Sequence, residues 1–159
     1  MAKIIDVKKD RLRYTKNSST ASQAYVAIIF NVLYFVSIYH KNVGNYYYNN
    51  TMGFSVVSNL LFLLGAFLCS EGVKNYKMGY CIAFIPLGAF QILRIFYIPL
   101  KAHSQMISID GLSTMVMDDT QFIWVCVCLA CSALACFATG IIGIYRTKTL
   151  RDYEKTLSE

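Results

Sequence analysis

The chain is organised by four uninterrupted apolar runs, at residues 24–39, 52–70, 78–100 and 122–145, separated by short polar stretches. Each run is long enough to cross a hydrocarbon layer about 30 Å thick, the first only with Gln23 and His40 leaning on the interfaces. The runs are continuous rather than alternating, which argues against spanning strands, and in lipid a continuous segment satisfies its own backbone only as a helix. The pattern therefore predicts an all-α fold, an integral membrane four-helix bundle. The spans make one domain, 24–145, between a basic N-terminal tail, 1–23, and a C-terminal tail, 146–159.

Charge then orients the bundle. Six Lys and Arg precede the first run (Lys3, Lys8, Lys9, Arg11, Arg13, Lys16), two lie between the second and third (Lys74, Lys77), and four follow the last (Arg146, Lys148, Arg151, Lys155). Against these twelve, only Lys41 and Lys101 lie on the other side. By the positive-inside rule both termini are expected in the cytoplasm, in a multi-pass protein of the plasma (inner) membrane, with the loops at 40–51 and 101–121 facing out. The net charge of +6 is first of all this orientation signal. Neither basic tail carries a nucleic-acid-binding module, so the lipid bilayer is the expected partner and nucleic acid is not.

Composition narrows the class without changing it. With 56% apolar residues, 15% charged residues and 2 prolines, the chain is neither a disordered tract, nor collagen-like, nor a disulfide scaffold. The first apolar run starts late and lacks a small-residue cleavage pattern, so it reads as an uncleaved anchor.

Aromatic residues gather where the spans end, with Tyr39, Tyr46, Tyr47, Tyr48, Tyr97 and Trp124 outside and Tyr76, Tyr80 and Tyr145 inside. Rings of this kind suit the headgroup layer. Clustered as they are, Tyr46, Tyr47 and Tyr48 are also candidates for an outer-face contact with another protein. In the long outer loop, Asp110-Gly111 is a hairpin-turn dipeptide flanked by short β-prone runs, which leaves two readings, a small hairpin available for docking or an irregular loop. In the C-terminal tail, Leu150, Tyr153 and Leu157 make one apolar stripe on a helical extension of the last span. The basic tails are expected to lie on anionic headgroups or to touch a cytoplasmic partner.

Candidate chemistry is sparse. Asn31, Asn59, Gln91 and Ser132 fall near the middle of the four runs, one in each, which suggests a hydrogen-bonded layer or a substrate path. Arg94 is the one ionisable residue well inside a span, and no span offers it a carboxylate. A charge at the centre of a span costs about 2.5–3.5 kcal/mol on insertion scales, so Arg94 calls for a reason. Three are open: it reaches outward to lipid phosphates, it turns inward with Gln91 to hold an anion, or it meets a carboxylate of another subunit. Pro86, followed by Gly88, favours a kink in the third run. In the fourth run, Ser132, Cys136 and Gly140, with Ala135, Thr139 and Gly143, repeat every four residues as a small-residue ridge suited to close helix packing.

Six cysteines lie in or beside the spans, and Cys126, Cys128 and Cys131 do not converge as metal ligands would on one helix. His40 and His103 stand apart from any triad or ligand spacing, and no phosphate-binding glycine loop is present. No enzyme, metal or cofactor is expected. The expectation is a non-catalytic accessory or structural subunit of a larger membrane complex of transporter or export type, acting through helix packing and loop contacts with other membrane protein subunits. The alternative is an autonomous small transporter, channel or lipid flippase, a homo-oligomer with its path near Arg94.

Overall fold

A computed structural model describes residues 7–40, 43, 50–109 and 112–158. A short helix, α1 (Val7–Tyr14), precedes α2 (Ser18–Ile38), α3 (Asn50–Lys74) and α4 (Met78–Tyr97). A single-turn helix, α5 (Pro99–His103), leads into the strands β1 (Met106–Ile109) and β2 (Leu112–Met115), and α6 (Asp119–Ser158) closes the chain. Four helical segments are long and apolar enough to cross a membrane: Ser18–Ile38, Met52–Lys74, Met78–His103 and Asp119–Leu157. The chain is an all-α protein of the multi-pass membrane class.

The four long helices pack in a ring: α6 lies against α2 and α4, and α3 lies against the same two from the other side. Successive neighbours run antiparallel, as short connections require. At one end Asn17 N–H donates to the Lys74 carbonyl (3.0 Å), and Arg146 Nη1 donates to Asn17 Oδ1 (2.8 Å). At the other, the Gln121 side chain spans the last turn of α2: Nε2 donates to the carbonyls of Ser37 (2.8 Å), Ile38 (3.3 Å) and His40 (3.2 Å). The Ser37 carbonyl also accepts the His40 N–H (3.3 Å), whereas those of Ile38 and His40 lie where the end of a helix leaves carbonyls without a helical partner. Gln121→Leu should leave them open and cost about 1–3 kcal/mol. Amide exchange at Tyr39 and His40 should quicken while that of mid-helix amides stays slow; an unchanged exchange pattern would show that Gln121 is not what holds this end.

Several boundaries differ from the sequence-based expectation. The first span begins at Ser18 rather than 24, because the polar turn at its start is held by the bundle: Thr20 and Ala21 are buried, and Ser70 Oγ donates to the Ala21 carbonyl (3.2 Å). The C-terminal tail does extend the last span as expected, as the end of a 40-residue helix. Its predicted stripe is used within the chain, since Leu150 and Tyr153 are buried and α1 packs on α6. A helix within the N-terminal tail was not expected. Pro86 lies inside a continuous α4, and the absence of a side chain at Gly88 lets the ring of Phe137 approach.

The long loop before the last span forms the antiparallel pair, in register Met106↔Met115, Ile107↔Thr114, Ser108↔Ser113 and Ile109↔Leu112. Asp110 and Gly111 lie outside the described residues, as do Tyr46, Tyr47 and Tyr48. Beyond the pair, Val116 and Met117 turn inward with Ile98 and Ala102 and close the end of the bundle. The small-residue ridge of α6 is covered by the chain itself. A side chain at Gly140 would meet the Cys81 carbonyl at 3.1 Å, and one at Gly143 would meet Cys81 Sγ at 2.9 Å, so these positions let α4 approach closely.

The turn between α3 and α4 is a Schellman motif. Lys77 N–H donates to the Gly72 carbonyl (3.0 Å) and Tyr76 N–H to that of Val73 (3.1 Å), with Tyr76 at φ 53° where glycine is usual. Partial burial pushes the Tyr76 phenol above its ordinary range, against the opposing pull of Arg146 and of a Thr15 hydrogen bond. These neighbours tie the turn to the last span and to the segment after α1.

Candidate functional site

The interior is divided into two apolar clusters. One gathers Tyr34, Ile38, Ile98, Val125, Cys128 and Leu129 toward the hairpin end; the other gathers Ala24, Phe62, Val73, Cys81, Phe84 and Cys136 toward the termini. Between them lie the polar residues that the sequence places at mid-span, and they meet. Asn31, Asn59, Gln91 and Ser132 are all buried, and Arg94 is only 7% exposed.

Their hydrogen bonds run across all four long helices. Asn31 Nδ2 donates to Asn59 Oδ1 (2.8 Å), joining α2 to α3. Gln91 Nε2 donates to Asn31 Oδ1 (2.9 Å) and to Ser132 Oγ (2.9 Å), joining α4 to α2 and α6. Ser132 Oγ in turn donates to the Ala27 carbonyl (2.9 Å), joining α6 to α2. In a membrane one such bond contributes about 0.6 kcal/mol on average, so the layer stabilises the bundle less by its sum than by fixing which faces meet.

Arg94 turns inward rather than reaching out along the span to the headgroup layer, one of its three expectations. It stands three residues after Gln91, hence on the same face of α4. Its Nη1 donates to Asn31 Oδ1 (2.7 Å) and Gln91 Oε1 (3.0 Å), and its Nη2 to Asn59 Oδ1 (3.2 Å). The guanidinium lies 4.4 Å from the centre of the Tyr34 ring and 5.7 Å from that of Phe90. Amide oxygens and ring faces thus replace water around the cation. They do not neutralise it: among the described residues no Asp or Glu pairs with Arg94, and Asp10 and Glu71 pair with Arg13 and Lys74 instead.

Arg94 also lines a cavity of about 150 Å³ between α3 and α4, with Tyr34, Ser55, Ser58, Phe90 and Ile98 and a rim of Phe54, Leu93 and Tyr97. The pattern of mid-span polar residues pointed to Arg94 and its amide partners but not to this wall. Helical spacing carries the missing signal. Tyr34 follows Asn31 by three and Ser55 precedes Asn59 by four, so each shares a face with a residue already marked as buried and polar.

The remaining candidates sit elsewhere. The ridge residues Ala135, Cys136, Thr139, Gly140 and Gly143 belong to helix packing, and Thr139 Oγ1 is used by the Ala135 carbonyl (2.8 Å). The cysteines are all free thiols. No group of three His, Cys, Asp or Glu side chains among the described residues is placed to hold a metal ion. His103 stacks on Phe122 with ring centres 4.4 Å apart.

What the fold and site define is a class, a multi-pass helical membrane protein with a buried, amide-solvated arginine. Comparison with protein-family models, curated proteins and solved structures finds no match to this chain.

Proposed function

We propose that the protein is a non-catalytic accessory or structural subunit of a larger membrane complex of transporter or export type, working through helix packing and loop contacts. The observation that carries this reading is the closed middle of the bundle. Asn31, Asn59, Gln91, Arg94 and Ser132 are linked by hydrogen bonds into one layer, with apolar clusters on both sides. A rigid insert of this kind serves as a scaffold rather than as a conduit.

Surfaces for partners support the same reading. The helices turn long apolar side chains outward, among them Leu60, Leu61, Leu64 and Leu68 on one side of α3. At the end of the bundle the cross-strand pair Met106 and Met115 is exposed at 70% and 44%, and flexible thioethers suit a surface that adapts to a partner. In this reading the protein resides in the plasma membrane with both termini in the cytoplasm, where the basic ends favour them.

The test is purification at native expression level in mild detergent, with every co-eluting chain identified by mass spectrometry. A defined complex with other membrane subunits is expected; recovery as a lone monomer or homo-oligomer overturns the reading. The second reading, a small oligomeric transporter, channel or flippase, is favoured by one observation, the cavity that reaches Arg94. Flux through liposomes containing the protein alone would establish it.

A further inference from the structure

We propose that the cavity between α3 and α4 is a binding site for a phosphate-type oxyanion, held by Arg94. The argument starts from the donors. A guanidinium has five N–H groups. Both hydrogens of Nη1 and one of Nη2 go to the oxygens of Asn31, Gln91 and Asn59. Two donors, on Nε and on Nη2, remain for the Tyr34 phenol and for an anion in the cavity that Arg94 lines. The Tyr34 ring lies against the guanidinium, and among the described residues no carboxylate pairs with it.

The wall of the cavity supplies what such an anion needs beyond the cation. Ser55 is 4% exposed, and its Oγ lies near the Tyr34 and Tyr39 phenols without a hydrogen bond of good geometry to either. Ser58, one turn on, adds a second hydroxyl to the lining. A buried hydroxyl so poorly paired is costly, and an anion oxygen in the cavity lowers the cost. At about 150 Å³, against about 30 Å³ for a water molecule in the liquid, the space takes a group of about five heavy atoms, the size of a tetrahedral phosphate.

The rim favours entry from the side. Phe54, Leu93 and Tyr97 border the opening and are 61%, 65% and 52% exposed, so the cavity gives onto the apolar flank of the bundle in its hairpin half. A phospholipid would place its phosphodiester against Arg94 and its chains along these side chains. Inorganic phosphate presents the same chemistry without the chains. The site rests on the geometry of this chain alone and stands whether or not the protein joins a complex.

The experiment titrates phosphatidylglycerol, phosphatidylcholine or inorganic phosphate into the detergent-purified full chain and reads bound ligand by native mass spectrometry. Two variants accompany the wild type. Arg94→Gln removes the cation, and Ser58→Leu fills the cavity without touching the hydrogen-bonded layer, so the second decides if the first fails to fold. Loss of the charged fork should weaken binding about tenfold or more. Phosphatidylglycerol retained by the wild type, weakened about tenfold in both folded variants and not displaced by inorganic phosphate, establishes the lipid source. Inorganic phosphate that binds the wild type, displaces lipid and is lost in Ser58→Leu establishes the free anion. Equal retention of each probe by wild type and Ser58→Leu, or no retention of any probe, overturns the site.

Discussion

Arg94→Leu should lower the stability of the folded bundle by about 3 kcal/mol while making the third span easier to insert, two effects of opposite sign from one substitution. The insertion term follows from removing a charge that costs about 2.5–3.5 kcal/mol at the centre of a span. The stability term concerns a later step, the association of helices already in lipid. There the wild-type cation gains Asn31, Gln91 and Asn59 as acceptors and the faces of Tyr34 and Phe90. Removing it breaks three hydrogen bonds, together about 2 kcal/mol at the average for membrane helices.

The loss is uneven. Asn31 Oδ1 keeps the Gln91 amide and Asn59 Oδ1 keeps the Asn31 amide, whereas Gln91 Oε1 loses its donor and is left buried. That orphaned oxygen adds about 1 kcal/mol or more. Arg94→Lys should fall between, losing about 1 kcal/mol, because an ammonium keeps the charge but neither the fork nor the stacked plane. Unfolding in mixed micelles of increasing sodium dodecyl sulfate, followed by circular dichroism, ranks the three proteins. A leucine variant as stable as the wild type would mean that the layer is bystander chemistry and that the helices associate by apolar packing alone.

How far the sequence reveals this arrangement depends on the kind of information each part requires. The four spans are legible because length and continuous apolarity are properties of a segment by itself. The mid-span polar residues are legible for a related reason: one polar residue per apolar run, at a shared depth, has few places to go but toward the others. The direction of Arg94 is a different matter. Its helix does carry a stripe, Cys81, Phe84, Gly88, Gln91 and Arg94 at helical spacing, but a long side chain can leave its face, and what draws the guanidinium inward is the set of acceptors on α2 and α3. The small-residue ridge shows the same limit. Its spacing announces close packing but not the partner, which is α4 of the same chain around Cys81. The span ends were misjudged where tertiary contacts override composition, as at Ser18–Gln23, whose polar side chains suggest a tail while Asn17 and Ala21 are tied to the end of α3.

Gly72 is the residue whose importance pattern reading passes over, and Gly72→Ala is expected to cost about 2 kcal/mol. It is buried one turn before the end of α3, and its carbonyl accepts the Lys77 N–H that closes the Schellman turn. A methyl group there would overlap the base of the Tyr80 side chain, including Cβ. An atom so near the backbone moves only if α4 moves, and α4 is fixed farther along by the contacts of Cys81 and Gln91. Alanine is otherwise the better helix former by about 1 kcal/mol, so a loss of stability here opposes intrinsic propensity and isolates the steric term. Gly79→Ala supplies the comparison: nothing lies within 4 Å of its added methyl, and it should gain up to about 1 kcal/mol. Tyr80 is 41% exposed, so trimming it sacrifices little packing, and Gly72→Ala with Tyr80→Gly, which removes the Cβ as well, should recover the steric loss less about 1 kcal/mol of helix propensity. Thermal midpoints of the four proteins in one detergent decide the matter. If the double variant stayed as unstable as Gly72→Ala, the strain would lie in the turn itself, at Tyr76 with its positive φ, rather than in the contact between the two helices.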